Sequence, residues 1–358
     1  MLNPSQVIPK KLFFGVYSLK KAIINIIIVS FITFLLIFSR ESMIAVKESL
    51  SLWCNNVIPS LFPFLIATSL LSYTNIPKTV SKIFTRIMRP LFNVPGIGAY
   101  AFLLGIISGY PIGAKVVVDL YSKKACTKSE AEDLLAFTNN SGPLFIIGTI
   151  GISFFRSIHI GILLFITHIL SAISTGFVLG ILQRKNKKSN INTTGFSLDS
   201  YESESNPFNI GLVLRDSIVN SVNTLLLIGG FIVFFAVIIN MLKNSHLLDL
   251  LSYMISFISK SYIDISYIKG FLAGIIEITN GIFSISIIPT KFITINILLC
   301  AFLLGFGGLS VFFQVSSISF STSLSMKSYI LGKLLQGIFA VIYTFIFINC
   351  FPIFNFNL

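Results

Sequence analysis

Apolar runs of about 20 residues recur along this chain from one end to the other, and nothing else constrains its fold as strongly. A run of that length crosses the hydrocarbon of a bilayer as a helix, because a helix pairs its own backbone N–H and C=O groups where no water is available. Composition agrees: 54% of residues are hydrophobic and 11% charged, with a mean hydropathy of +0.89. Soluble domains carry roughly a quarter charged residues. The expected class is an all-α polytopic membrane protein, with the lipid bilayer as its surroundings. The net charge of +13 lies in clusters between the apolar runs. That is the pattern of cytoplasmic loops and not of a nucleic-acid surface, so no nucleic acid is expected as a partner. Cys54, Cys126, Cys300 and Cys350 are scattered with no CxxC pair, and neither a metal nor another cofactor is expected. His159, His168 and His246 form no HExxH, and no P-loop or GxSxG is present. The expectation is therefore not an enzyme.

The first run, Ala22 to Ser39, follows a polar, basic start and has no small-residue cleavage site, so it reads as a retained span. Further membrane segments are expected near 55–73, 98–121, 130–155, 158–182, 217–242, 269–289, 293–322 and 328–351. If every one crosses, with Lys10, Lys11, Lys20 and Lys21 in the cytoplasm, then Lys123-Lys124 and the run Arg184 to Lys188 fall outside. Both placements contradict the positive-inside rule. If instead 98–121 and 269–289 are re-entrant hairpins, every strong basic cluster falls inside, while Arg156 and the segment 243–268 face out. The hairpin arrangement is the one expected, with a cytoplasmic N-terminus.

That arrangement makes each half a span, a re-entrant hairpin, a broken span and a span. Three crossings per half invert the second half relative to the first, an inverted-topology repeat with one extra N-terminal transmembrane helix. Short matches support it. Phe102-Leu-Leu-Gly-Ile-Ile107 echoes Phe271-Leu-Ala-Gly-Ile-Ile276, Glu48-Ser and Asn55 echo Asp216-Ser and Asn223, and Phe137 to Leu144 echoes Phe302 to Leu309. The expected organisation is 1–40 as cytoplasmic N-terminus and first helix, 41–183 as the first repeat, 184–210 as a cytoplasmic linker, and 211–358 as the second repeat. Segments 76–93 and 246–264 mix apolar residues with charges and are expected along the membrane interface.

Matched Gly/Pro-interrupted segments in two halves point to a transporter's binding site. The first hairpin tip reads Ser108-Gly-Tyr-Pro-Ile-Gly113 and the second Glu277-Ile-Thr-Asn-Gly281. Glu277 follows a long apolar stretch, and a carboxylate at that depth is a candidate for proton or cation coupling or for contact with substrate. The blander reading is a carboxylate that satisfies amides at the tip. Lys115 can attract an anion or snorkel to the cytoplasmic face, and Asp119 lies one turn on. Asn139-Asn140-Ser141-Gly142-Pro143 is the most polar stretch inside any apolar run, and its proline should unwind the helix. Its counterpart, Gly305-Phe-Gly-Gly-Leu-Ser310 followed by Gln314, is rich in glycine. The expected substrate-binding residues are Tyr110, Lys115, Asn139, Asn140, Ser141, Thr279, Asn280, Ser310 and Gln314, with Glu277 for coupling.

At Ser108 to Lys115, Asn140-Ser-Gly-Pro-Leu-Phe145, Glu277 to Gly281 and Gly305 to Val311, the chain resembles the sporulation integral membrane protein family YlbJ, also called SpoVV, which carries the nucleoside-recognition Gate domain. The resemblance runs from about residue 40 to the C-terminus. It implies a role in endospore formation, moving dipicolinic acid across the outer forespore membrane, and a likeness to concentrative nucleoside transporters with their two hairpins and two unwound spans. The small anionic solute would then be dipicolinate, with other sporulation membrane proteins as an open class of partner. A coupled nucleoside or small-metabolite symporter and a non-transporting sporulation scaffold are the alternatives. The oligomeric state is left open.

Overall fold

The computed structural model describes residues 10–186, 209–258, 260, 263–290 and 293–354. Most of the expected linker 184–210 lies outside the described residues. Every regular element among the described residues is helical. In chain order these are α1 (Lys10–Ile37), α2 (Ser39–Leu52), α3 (Ile58–Leu71), α4 (Ile76–Phe92), α5 (Gly98–Ser108), α6 (Ile112–Ser122), α7 (Lys128–Thr138) and α8 (Ile158–Asn186). There follow α9 (Ile210–Asn244), α10 (Leu247–Ile258), α11 (Ile265–Ile276), α12 (Ile278–Ser286), α13 (Thr294–Phe306), α14 (Gly308–Ser319) and α15 (Lys327–Cys350). Trp53–Val57 and Leu144–Phe154 are wound as π-helix, the second directly after Pro143.

Among the described residues, four stretches are long and apolar enough to cross a bilayer: Ile158–Arg184, Ile210–Asn244, Thr294–Ser319 and Lys327–Cys350. Lys21–Ile37 and Ser39–Asn55 make a fifth if taken together, but the chain bends by 96° between them. Gly98–Ser108, Leu144–Phe154 and Ile265–Ile276 are apolar and too short to cross alone. The kinds of element recur in order along the chain. A long helix (α2–α3, then α9) is followed by a shorter one (α4, then α10) and by a pair of short helices joined at a tight tip (α5–α6, then α11–α12). A helix interrupted midway comes next (α7 with the π-helical stretch, then α13–α14), and a long helix ends each series (α8, then α15).

The interrupted and closing helices form the centre. Leu134, Leu135 and Ala136 of α7, Leu163 and Leu164 of α8, and Ile297, Cys300 and Leu303 of α13 have no exposed surface. Polar side chains stitch the closing helices across the core, Thr344 Oγ1 donating to Thr167 Oγ1 at 2.9 Å and Tyr343 sharing a 2.6 Å hydrogen bond with Ser174. By contrast α1 and α9 display Ile, Leu and Val outward, as lipid-facing helices do. The segment expected at the interface is α4, which buries Ser81, Met88 and Phe92 and exposes Lys82 and Arg86. Its Arg89 pairs with Glu130, the residue that closes the capping box at the start of α7. This bond fixes α4 beside the interrupted helix.

Candidate functional site

Both tight tips are turned by the residues that interrupt the apolar runs. At the first, Gly109 adopts φ +82° and ends α5 by donating its N–H to Gly105 O at 3.1 Å. An L side chain is strained at that φ, and a Cβ there would also meet the Gly142 nitrogen at 2.8 Å. Glycine is therefore required for the tip of α5–α6 to touch the interrupted stretch. A cis peptide joins Tyr110 to Pro111. At the second tip, Glu277 stands in extended backbone between α11 and α12. Its carboxylate accepts the N–H of Thr279 at 3.0 Å, the N–H of Asn280 at 2.8 Å and the Asn280 amide at 2.9 Å. These charge-assisted bonds satisfy the first orphan donors of α12. Glu277 is only 2% exposed, so its cost of burial is offset by the helix end it caps.

The interruptions differ. Between α13 and α14 the turn is made by Gly307 and Gly308, at φ +84° and +76°. A Cβ on Gly308 would meet Gly274 O at 2.9 Å, which brings this break against the end of α11. After α7, residues 139–142 leave the helix, and their groups are taken up by side chains from elsewhere. Asn139 Nδ2 donates to Tyr329 OH at 3.1 Å, and the Ser141 N–H donates to His168 Nε2 at 3.1 Å. Gln336 Nε2 donates to Asn140 Oδ1 at 2.8 Å. Lys333 Nζ donates to the freed carbonyl of Asn139 and, at 2.8 Å, to Gln336 Oε1.

The two tips and the two breaks meet around one small cavity of about 60 Å³. Tyr110 and Gly109 line it from the first tip, and Glu277 and Thr279 from the second. Gly142 and Phe145 contribute from the first break, and Ser310 and Gln314 from α14. Leu52, Leu61, Ile228 and Ile232 close the apolar side. Gln314 is 2% exposed, and its Oε1 has no hydrogen-bond partner. A buried acceptor left open on a cavity wall is a demand for a donor on whatever enters. A mostly apolar lining with a few convergent polar groups is the usual make-up of a small-molecule site.

Among the expected residues, Tyr110, Thr279, Ser310, Gln314 and Glu277 stand on this wall. Asn280 caps Glu277. Lys115 lies apart, donating to Thr224 Oγ1 of α9 at 3.1 Å. Asn139, Asn140 and Ser141 turn away from the cavity, toward α15 and α8. Sequence reasoning missed His168, Tyr329, Lys333 and Gln336, which are 3% exposed or less. Lys333 and Gln336 share one face of an apolar helix, and that spacing was the available signal.

These features define a polytopic helical membrane protein with a polar-lined cavity at the meeting of two helix-pair tips and two interrupted helices. Residues 54–141, which run through the first tip to the first break, match the Gate family model, described as nucleoside recognition. The chain is 33% identical over 339 residues to the sporulation integral membrane protein YlbJ of Bacillus subtilis (strain 168), covering 89% of this chain and 81% of that protein. No solved structure matches. The chain belongs to the YlbJ family of sporulation integral membrane proteins.

Proposed function

We propose that this protein is a carrier that moves a small metabolite by alternating access, with the cavity between the two tips and the two breaks as its substrate site. The observation that carries the reading is the convergence of Tyr110, Glu277, Thr279, Ser310 and Gln314, from three separate helix interruptions, on one cavity that Gly142 of the fourth also lines. A scaffold has no use for such a cavity. In this reading α5–α6 and α11–α12 are re-entrant hairpins, the two halves are inverted repeats, and the N-terminus is cytoplasmic. The YlbJ relative is named for sporulation. Together with the family resemblance, this makes dipicolinate, moved across the outer forespore membrane, the proposed substrate.

Dipicolinate is a flat aromatic dianion, and its ring suits the apolar side of the cavity. Its carboxylates can take hydrogen bonds from Ser310, Tyr110 and the Gln314 amide nitrogen, whereas the open Gln314 Oε1 would need a donor that the dianion lacks. Glu277 on the same wall repels a dianion unless a proton or cation enters with it, which gives Glu277 the coupling role. The same observation favours a second reading. A wall with a carboxylate and no cationic side chain accommodates an uncharged solute, such as a nucleoside, without any compensation.

The test is binding of dipicolinate to the purified protein in detergent, with uridine as competitor and Gln314→Ala as control. Saturable dipicolinate binding, lost in Gln314→Ala and insensitive to uridine, is expected. Uridine binding without dipicolinate binding establishes the second reading. Absence of both removes the carrier proposal for these solutes.

A further inference from the structure

Lys333 is buried among apolar helices and has no carboxylate partner among the described residues. It is 3% exposed, and the ion pairs among the described residues all lie elsewhere. A buried charge is ordinarily neutralised by an opposite one, because desolvation of a lone ion costs several kcal/mol. Here only oxygen dipoles and a ring face it. Its Nζ donates to Asn139 O and Gln336 Oε1 and stands 5.8 Å from the centroid of the Tyr329 ring. Gln336 is oriented by its second bond, Nε2 donating to Asn140 Oδ1, so its oxygen is committed to the lysine. Asn139 likewise aims its amide nitrogen away, at Tyr329 OH. Donors point outward and oxygens point inward.

The position matters as much as the ligands. Asn139 immediately follows Thr138, the last residue of α7, so Nζ sits at the negative end of that helix. Unwound carbonyls at the C-terminal end of a half-helix are where transporters hold a coupling cation. The other titratable groups facing this point are Tyr329 on its own helix and His168 on α8, and His168 Nε2 is committed to the Ser141 N–H.

We infer that Lys333 is the resident cation of the first interruption: its tethered ammonium occupies the oxygen cage that a free monovalent cation would otherwise fill, so this break binds no inorganic ion. The cage itself is independent of what the cavity carries. Its consequence for uptake rests on the carrier reading. An ammonium that serves only as a hydrogen-bond donor between α7 and α15 makes a different prediction, because small cations would not replace it.

The experiment is thermal unfolding of the purified full chain in detergent, for the natural protein, Lys333→Ala and Lys333→Met, in choline, sodium, ammonium and methylammonium chloride. Lys333→Ala opens a pocket bounded by the same oxygens, and its apparent melting temperature is expected to fall by several degrees in choline. Ammonium, methylammonium or sodium should restore at least half of the loss. Lys333→Met refills the space without charge and should be destabilised whatever the salt, and the natural protein should not respond to the small cations. Lys333→Ala that is equally unstable in all four salts overturns the inference, as does sodium stabilisation of the natural protein equal to that of Lys333→Ala. If Lys333→Ala cannot be purified, Lys333→Met decides, since natural stability and uptake in that variant overturn the inference. The unfolding readout involves no solute, so a protein that binds neither dipicolinate nor uridine removes the carrier reading for these solutes and leaves the Lys333 result standing.

Discussion

At the residue scale, Glu277 does two jobs that can be separated. It caps α12 through three N–H donors, and it presents a carboxylate to the cavity. In Glu277→Gln one acceptor oxygen becomes an NH2 group, which cannot accept from Thr279 or Asn280. A buried donor left unpaired costs about 1–3 kcal/mol. The variant should therefore unfold at a lower temperature in detergent, by at least a few degrees. If Glu277 also carries the coupling proton, uptake by Glu277→Gln should lose its pH dependence as well as its rate. An unchanged rate and pH profile would leave Glu277 with the capping role alone. Lys115 is a milder case: with its ammonium on Thr224 and its position outside the cavity, Lys115→Gln should leave solute binding close to that of the natural protein.

At the scale of elements, the paired short helices depend on close backbone approach. A Cβ on Gly281 would collide with the Gly274 backbone, so α11 and α12 can lie together only with hydrogen at Gly281, while a Cβ on Gly274 would meet the Leu303 side chain of α13. Gly281→Val should abolish correctly folded protein, seen as loss of the monodisperse peak in size-exclusion chromatography. Gly230 in α9 has nothing within 4 Å of its would-be Cβ, and Gly230→Ala should behave as the natural protein does. The contrast tests close packing rather than glycine content. The recurrence of element kinds, with a tight tip followed by an interruption in each series, was legible from the echoed motifs. The way each interruption is completed was not. One is closed by its own glycines, and the other borrows Lys333 and Gln336 from α15, nearly 200 positions along the chain.

At the scale of the whole molecule, the proposed re-entrant hairpins have a consequence for sidedness. With α5–α6 and α11–α12 entering and leaving on one face each, single cysteines placed at Lys124 and Arg184 in a background lacking the four natural cysteines should share the cytoplasmic side. A cysteine at Ser245 should be on the other. A membrane-impermeant maleimide added to intact cells that carry the protein in their plasma membrane should label the Ser245 position only, and labelling at Lys124 or Arg184 before permeabilisation would refute the arrangement. Trp53 shows how the assembled bundle overrides a local expectation. A tryptophan at the start of a membrane helix suggests an interfacial anchor, but Trp53 is half-buried against Gly229 of α9, where a Cβ would meet its indole at 2.5 Å.

Hydropathy and length by themselves determined that this chain is a helical membrane protein, because hydrocarbon admits few other ways of satisfying a backbone. Glycine and proline, placed within apolar runs, determined where the helices break and turn, since these residues act through their own backbone geometry. The tertiary structure alone decided which polar groups face one another. Asn139 and Asn140 looked like solute ligands in sequence, yet they serve the interruption itself, while Gln314 keeps an open acceptor on the cavity. A polar side chain in the membrane takes the nearest partner in space, and for these residues that partner lies on a helix far away in sequence.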